Sequence, residues 1–226
     1  MKDLISVVVT CYNHEDYIEQ CLRSIFKQNY RNIELFVFND GSTDKSAQII
    51  QETLRDSPFP TQFKSHENMG VVKTRNKGLS LIQGTFFLFV DSDNFLDENY
   101  IEKLYQKLCL LKKQKKIKWQ VTPERKYSNK VLSPRIYLKS HPFDLSSFLE
   151  RSYIDSCSLV RTEVAQGVVY DVELNYKKLE DYDFLLNLII NKQAVPIYVQ
   201  DTKLNYRVLE NSISQRNSTK YHFDVY

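Results

Sequence analysis

The stretch Phe86-Phe87-Leu88-Phe89-Val90-Asp91-Ser92-Asp93-Asn94 sets five apolar residues directly before two carboxylates one residue apart. The run is far shorter than the ~20 apolar residues of a membrane span. It reads as a strand buried on both faces, the pattern of the interior of a parallel sheet. Such a strand delivers its last residues to the carboxyl edge, where open α/β sheets bind ligands. Two carboxylates at that edge repel each other and lose hydration, so a cation or a hydrogen-bond donor has to compensate them. Oxygen-only ligands suit Mg2+ or Mn2+. Taken alone, the triplet also fits a solvated turn with a helix cap, because Asp, Ser and Asn all favour turns.

The surrounding chain, 226 residues of which 42% are apolar, fits one large α/β domain with a small appended region. A formal charge of +3 does not by itself point to nucleic acid. Cys11, Cys21, Cys109 and Cys157 form no Cys-x-x-Cys pair, which argues against a zinc knuckle or a disulfide framework and for a reducing, cytoplasmic setting. Met1-Lys2-Asp3-Leu4 runs straight into a strand pattern with no signal-peptide signature. The expectation is a soluble protein, at most peripheral to a membrane.

Strand and helix patterns alternate through the first hundred residues. Residues 5–10 are β-branched at every position but Ser6 and read as a first buried strand, followed by the polar turn Cys11-Tyr12-Asn13-His14. The spacing of Tyr17, Ile18, Cys21, Leu22, Ile25 and Phe26 predicts a helix over 15–27. A second strand over 33–38 closes on Asn39-Asp40-Gly41-Ser42-Thr43-Asp44, with a glycine for the turn and N-cap residues for the next helix, 45–55. A short strand over 63–66 leads through Asn68-Met69-Gly70 to a helix carrying Val71, Val72, Leu79 and Ile82. This alternation implies a mainly parallel sheet with helices on both faces. If the strands are neighbours, the polar clusters at 10–13, 39–44 and 91–94 converge on one crevice.

The second half is harder to read. A helix is expected over 97–111, then the basic run Lys112-Lys113-Gln114-Lys115-Lys116-Ile117-Lys118. That run fits a solvated helix end, or a peripheral contact with anionic lipid through Lys112, Lys113, Lys115, Lys116 and Lys118. One short run beside Trp119 and Tyr127 is not an extended basic surface with stacking platforms, so nucleic acid is not an expected partner. Pro123, Pro134 and Pro142 interrupt any pattern over 120–150. Strands are expected over 156–161, 195–199 and 203–208, and a helix over 178–191 with Glu180-Asp181-Tyr182-Asp183 near its start.

Together the motifs resemble the family-2 glycosyltransferases of the GT-A fold over nearly the whole chain. The pieces are Val7-Val8-Val9-Thr10-Cys11-Tyr12-Asn13, Phe38-Asn39-Asp40-Gly41-Ser42-Thr43-Asp44, Asn68-Met69-Gly70 with Thr74-Arg75-Asn76-Lys77-Gly78, Asp91-Ser92-Asp93, Glu180-Asp181, and Tyr206-Arg207 with Ser212-Ile213-Ser214. The resemblance implies an α/β, Rossmann-like GT-A sheet plus a smaller C-terminal acceptor-side region. Residues 1–110 would form the nucleotide-sugar half and 111–226 the acceptor and catalytic-base half of the same domain. It implies an inverting, metal-dependent hexosyl-type transfer from a nucleotide diphosphate sugar, usually a UDP-sugar, to a glycan or lipid-linked hydroxyl acceptor, as in surface polysaccharide or glycolipid assembly. By the same likeness Tyr12 stacks on the base, Asp40 accepts from a uracil N–H, Arg75 lies near base and diphosphate, and Asp91 contacts the ribose. Asp93 holds Mn2+ or Mg2+ and Asp181 is the general base. Thr10, Asn13, Asn68, Gly70, Ser92 and Arg207 complete the donor site.

The chemistry is consistent with these roles. A diphosphate leaving group builds negative charge that a metal stabilises, and a weakly acidic alcohol needs a carboxylate to take its proton as it attacks. Two departures stand out. Leu209 occupies the position where the family often has a metal- or diphosphate-binding histidine, and Thr10-Cys11 replaces a common Pro-x. The competing function class is a donor-binding protein that has lost catalysis and acts as a regulator or scaffold.

Overall fold

The computed structural model describes residues 2–112, 124–127, 143–150, 154–177, 179–199, 202–207 and 209. Strands β1 (Ile5–Cys11), β2 (Ile33–Asp40), β3 (Thr61–His66) and β4 (Phe86–Asp91) run parallel, and β7 (Val160–Arg161) pairs antiparallel with β4. Their order in the sheet is β3-β2-β1-β4-β7, which puts β1 between the two strands that carry the other polar clusters.

The period-2 alternation of the strands divides the core in two. Val7, Val9, Leu35, Val37, Leu88 and Val90 face one layer, covered by α1 (Ile18–Phe26), α2 (Ser46–Leu54) and α4 (Tyr100–Lys112). Val8, Phe36, Phe38, Phe87 and Phe89 face the other, covered by α3 (Val71–Leu79), α5 (Leu145–Glu150), α6 (Thr162–Ala165) and α7 (Glu180–Leu186). The five apolar residues of β4 are all buried. Each phenylalanine among them contributes about 1.5–3 kcal/mol by burial, so one residue of register slip would be costly. A second sheet, β5 (Phe95–Leu96), β8 (Lys203–Tyr206) and β6 (Glu124–Tyr127), carries the last described strand back against the turn after β4.

Several boundaries differ from the pattern-based expectation, each for a local reason. The helix expected from residue 15 starts at Ile18 because the preceding backbone is tied sideways: His14 N–H donates to Ser46 Oγ and Glu15 N–H to Asp44 Oδ2. The strand expected over 156–161 shortens to two residues. Asp155 instead accepts from Cys157 N–H and, on its carbonyl, from Ser158 Oγ, a local turn that competes with the ladder. The helix expected over 178–191 becomes α7 followed by a π-helical turn, Asn187–Asn191. The strand expected over 195–199 is reduced to a lone bridge at Tyr198, beside Pro196, which has no N–H to give to a ladder. No described helix is long and apolar enough to cross a membrane. The lysines from 113 to 118, Trp119, His141, His222 and the 212–214 motif lie outside the described residues.

Candidate active site

The parallel strands end together. Thr10 pairs in register with Phe38 on one side and Asp91 on the other, so the three polar clusters share one edge. Hydrogen bonds then lace the loops. Asn13, in a left-handed conformation at φ 52°, donates its N–H to Ser42 Oγ, and its Oδ1 accepts from Thr43 N–H at 2.8 Å. Lys45 N–H reaches Glu15 Oε2. Tyr12, at the tip of this network, is 47% exposed. An aromatic ring held on a pinned loop is a ready stacking surface.

Asp40 faces inward instead. Its Oδ1 and Oδ2 accept from Met69 N–H at 2.8 Å and Gly70 N–H at 3.0 Å, and His66 Nδ1 stands 3.4 Å away. Asn68 donates to the Asp40 carbonyl. Asp40 therefore fixes the 68–70 loop, and a uracil contact would have to use its remaining lone pairs. Gly41 and Gly70, at φ 70° and 87°, are required by contact as well as conformation. A Cβ on Gly41 would meet Asn68 N at 2.4 Å, and one on Gly70 would meet Asn175 Oδ1 at 2.2 Å.

After β4 the carboxylates diverge in environment. Asp91 accepts from Arg75 Nη2 at 2.7 Å and from Ser156 Oγ at 3.3 Å. Ser92 is buried against His14 Nδ1 at 2.7 Å, and burial pushes that imidazole below its ordinary pKa. Asn94 folds the turn back, donating to the Asp91 carbonyl and accepting from Arg207 N–H. The Arg207 guanidinium donates to the Asp93 carbonyl and to Gln20 Oε1, with the Tyr17 and Phe95 rings each 5.0 Å from it.

Asp93 has the chemistry of a cation ligand. Burial first, then the charge of Asp91, pushes its carboxyl up to about 7, against the pull of Arg207. A carboxylate so poorly compensated gains from a cation. Among the described residues no cluster of three His, Cys, Asp or Glu side chains forms a protein cage. Of these residues Asp93 is the one whose carboxylate could hold Mg2+ or Mn2+, with oxygens from outside the protein completing the shell.

Asp181 reaches the same edge from the far half of the chain. Leu179, left-handed at φ 74°, starts α7 so that Glu180 and Asp181 occupy its first turn. Arg75 Nη1 donates to Asp181 Oδ1 and, at 3.3 Å, to Glu180 Oε1, while Nη2 holds Asp91. The guanidinium is 3% exposed and lies over the Tyr170 and Phe89 rings at 5.4 and 5.9 Å. Burial opposes its charge, but Asp181, Asp91 and Glu180 more than offset that and hold it protonated. Three carboxylates share one cation, and desolvation pushes the Asp181 carboxyl well up, and that of Glu180 up, from their ordinary values despite Arg75.

Three residues at this edge carried no motif. Asn175 donates to the Met69 carbonyl at 2.6 Å and accepts from Val72 N–H, closing the 68–70 loop over the start of α3. Tyr176, 65% exposed and left-handed at φ 65°, donates its hydroxyl to Asn68 Oδ1. Ser156 supports Asp91. An asparagine-tyrosine pair is a weak sequence signal, and a lone serine is none.

The model of the family described as Glycosyl transferase family 2 matches residues 6–167. The chain belongs to glycosyltransferase family 2. Among curated relatives, the glycosyltransferase GlyA of Streptococcus pneumoniae is 42% identical over 108 residues, which is 48% of this chain and 15% of GlyA. The minor teichoic acid biosynthesis protein GgaB of Bacillus subtilis is 28% identical over 225 residues, 95% of this chain and 24% of GgaB. This family 2 chain covers from 13% to 41% of the length of the first curated relatives it matches. S. aureus TarS 1–349 in complex with UDP-GlcNAc superposes at a TM-score of 0.76 with 23% identity, over 96% of this chain and 62% of that one. The mannosyltransferase PcManGT of Pyrobaculum calidifontis, in complex with GDP-Man and Mn2+, superposes at 0.71 with 15% identity, over 94% and 59%. Both likenesses are of fold, and the mainly parallel core with its extra C-terminal region is that of the GT-A glycosyltransferases.

Proposed function

We propose that this chain transfers a sugar from a nucleotide diphosphate donor, best a UDP-sugar, to a hydroxyl acceptor with inversion at the anomeric carbon. The observation that carries the reading is the delivery of Asp181 to the donor edge, where Arg75 ties it to Asp91. A carboxylate on α7 thereby stands beside the strand end that would hold the leaving group.

Tyr12 stacks on the base, Asp40 and the 68–70 loop frame it, and Asp91 binds the ribose. Thr10, Asn13, Ser92 and Arg207 shape the edge, Ser92 and Arg207 by fixing the turn that carries Asp93. A divalent ion on Asp93, when bound, supplies charge stabilisation for the departing diphosphate. Asp181 takes the proton of the acceptor hydroxyl as that oxygen attacks the anomeric carbon and the diphosphate leaves with the bonding pair. The chain retains both Asp93 and Asp181, which supports an active enzyme over a donor-binding scaffold. Relatives named for teichoic acid synthesis support a glycan or lipid-linked acceptor in surface polysaccharide assembly, and a cytoplasmic setting at the inner face of the membrane fits such a pathway.

Calorimetry against UDP-, GDP- and dTDP-sugars, with and without Mn2+, tests the reading. A UDP-sugar should bind tightest, and Mn2+ should strengthen it. Equal affinity for all bases, or indifference to the metal, would overturn the assignment of Tyr12, Asp40 and Asp93.

A further inference from the structure

The Arg75 guanidinium meets carboxylates from two directions. Nη2 holds Asp91 at the end of β4, and Nη1 holds Asp181 and Glu180 at the head of α7. Its Nε is buried without a partner among the described residues, so the outer fork anchors it. Phe89 and Tyr170 confine its faces, and Tyr170 is itself stacked on Phe184 of α7 at 4.2 Å. A planar fork confined in this way fixes the position of whatever it binds.

We propose that Arg75 is the positioning residue of the transfer reaction: it fixes the Asp181 carboxylate at the donor edge by bridging it to Asp91. The inference rests on the transferase reading and on Asp181 as base. Arg75 Nη1 takes Asp181 Oδ1, which leaves Oδ2 to receive a proton. The acceptor O–H proton passes to Asp181 Oδ2, the new bond forms between the acceptor oxygen and the anomeric carbon, and the bond from that carbon to the diphosphate oxygen breaks with its electron pair leaving on the diphosphate. A base displaced by about 1 Å can lower such a rate by about 10²-fold.

The fork also sets the charge at the base. Burial first, then Glu180 from the same helix, Asp91 from β4 and Asp155 from the loop before β7, disfavour an ionised Asp181, and Arg75 is the cation that opposes them. Removing Arg75 therefore raises the pH at which the base loses its proton. The acid limb of the rate profile, which belongs to the carboxylate cluster as a whole, moves to higher pH.

The test uses Arg75→Met and Arg75→Lys in the full chain, with UDP-GlcNAc, UDP-glucose and UDP-galactose as probes. UDP release, with water as acceptor, is followed across pH at saturating donor, and UDP affinity is measured by calorimetry. For Arg75→Met the expected result is a loss of ~10²-fold in the rate at saturating donor, beyond any loss of UDP affinity that follows from freeing Asp91, and an acid limb moved to higher pH. Arg75→Lys, which keeps the charge but cannot span Asp91 and Asp181, should leave the limb in place and lose about tenfold in rate. Because Arg75→Met leaves three carboxylates without their cation and can fail to fold, Arg75→Lys also stands as a test by itself. A parental rate for Arg75→Lys, an unmoved limb in folded Arg75→Met, or loss of UDP affinity with an unchanged saturated rate would overturn the inference and leave the transferase reading intact. A parent inert toward every UDP-sugar would overturn both.

Discussion

The donor edge and the head of α7 are held by opposite means. At the donor edge, loops from three strands are joined by many neutral or singly charged hydrogen bonds, such as Asn13 with Ser42 and Thr43, and Asp40 with Met69 and Gly70. At α7, two carboxylates are held by one guanidinium. A distributed network loses about 0.5–1.5 kcal/mol per deleted bond and keeps its shape. A charge cluster with a single counterion fails when that ion is removed. The difference suits the two roles, because a donor site needs a fixed mould while a base needs a carboxylate that one proton can switch.

Substitutions can break or sharpen this contrast. The largest effect among donor-edge variants is expected from Asp93→Ala. Loss of the metal ligand should remove several kcal/mol of leaving-group stabilisation, a fall in Mn2+-supported UDP release of ~10²–10³-fold, and should abolish the effect of Mn2+ on UDP-sugar binding in calorimetry. Parental binding and release would reduce Asp91-Ser92-Asp93 to a capped turn. Next comes Gly70→Ala. At φ 87° the residue sits where side chains are strained by about 1–3 kcal/mol, and its Cβ would meet Asn175. Chemical denaturation should show a loss of that order, whereas an unchanged midpoint would mean that the Asn175 clamp does not shape the 68–70 loop. Smallest is Tyr12→Ala, which removes an exposed ring and leaves the network standing. UDP affinity should drop by ~1–2 kcal/mol through lost stacking while thermal stability holds. A drop in stability instead would move Tyr12 from the ligand to the fold.

The same contrast explains how far the sequence could be read. The β4 run and the strands beside it were legible because burial on both faces imposes continuous apolar stretches, and glycines and Asp-rich turns mark their ends. The acidic turn was legible as a motif, but its link to Arg75 was not, since nothing in the spacing of residues 75, 91 and 181 states that the Arg75 fork holds both Asp91 and Asp181. β6, inside the proline-interrupted 120–150 stretch, is defined by its parallel pairing with β8, from Glu124 opposite Lys203 to Tyr127 opposite Tyr206. Such a pairing leaves no local signature. Asn175 and Ser156 matter through a single tertiary contact each, and a lone polar residue looks the same in sequence wherever it sits.

The central claim is that Asp181 is the base of a UDP-sugar transferase, and Asp181→Asn tests it most directly. The asparagine keeps size and much of the hydrogen bonding but cannot take a proton. Single-turnover UDP release at saturating donor should fall by ~10²–10⁴-fold with UDP affinity nearly unchanged, and Glu180→Gln should cost less. Near-parental release by Asp181→Asn would contradict the account and place the base elsewhere.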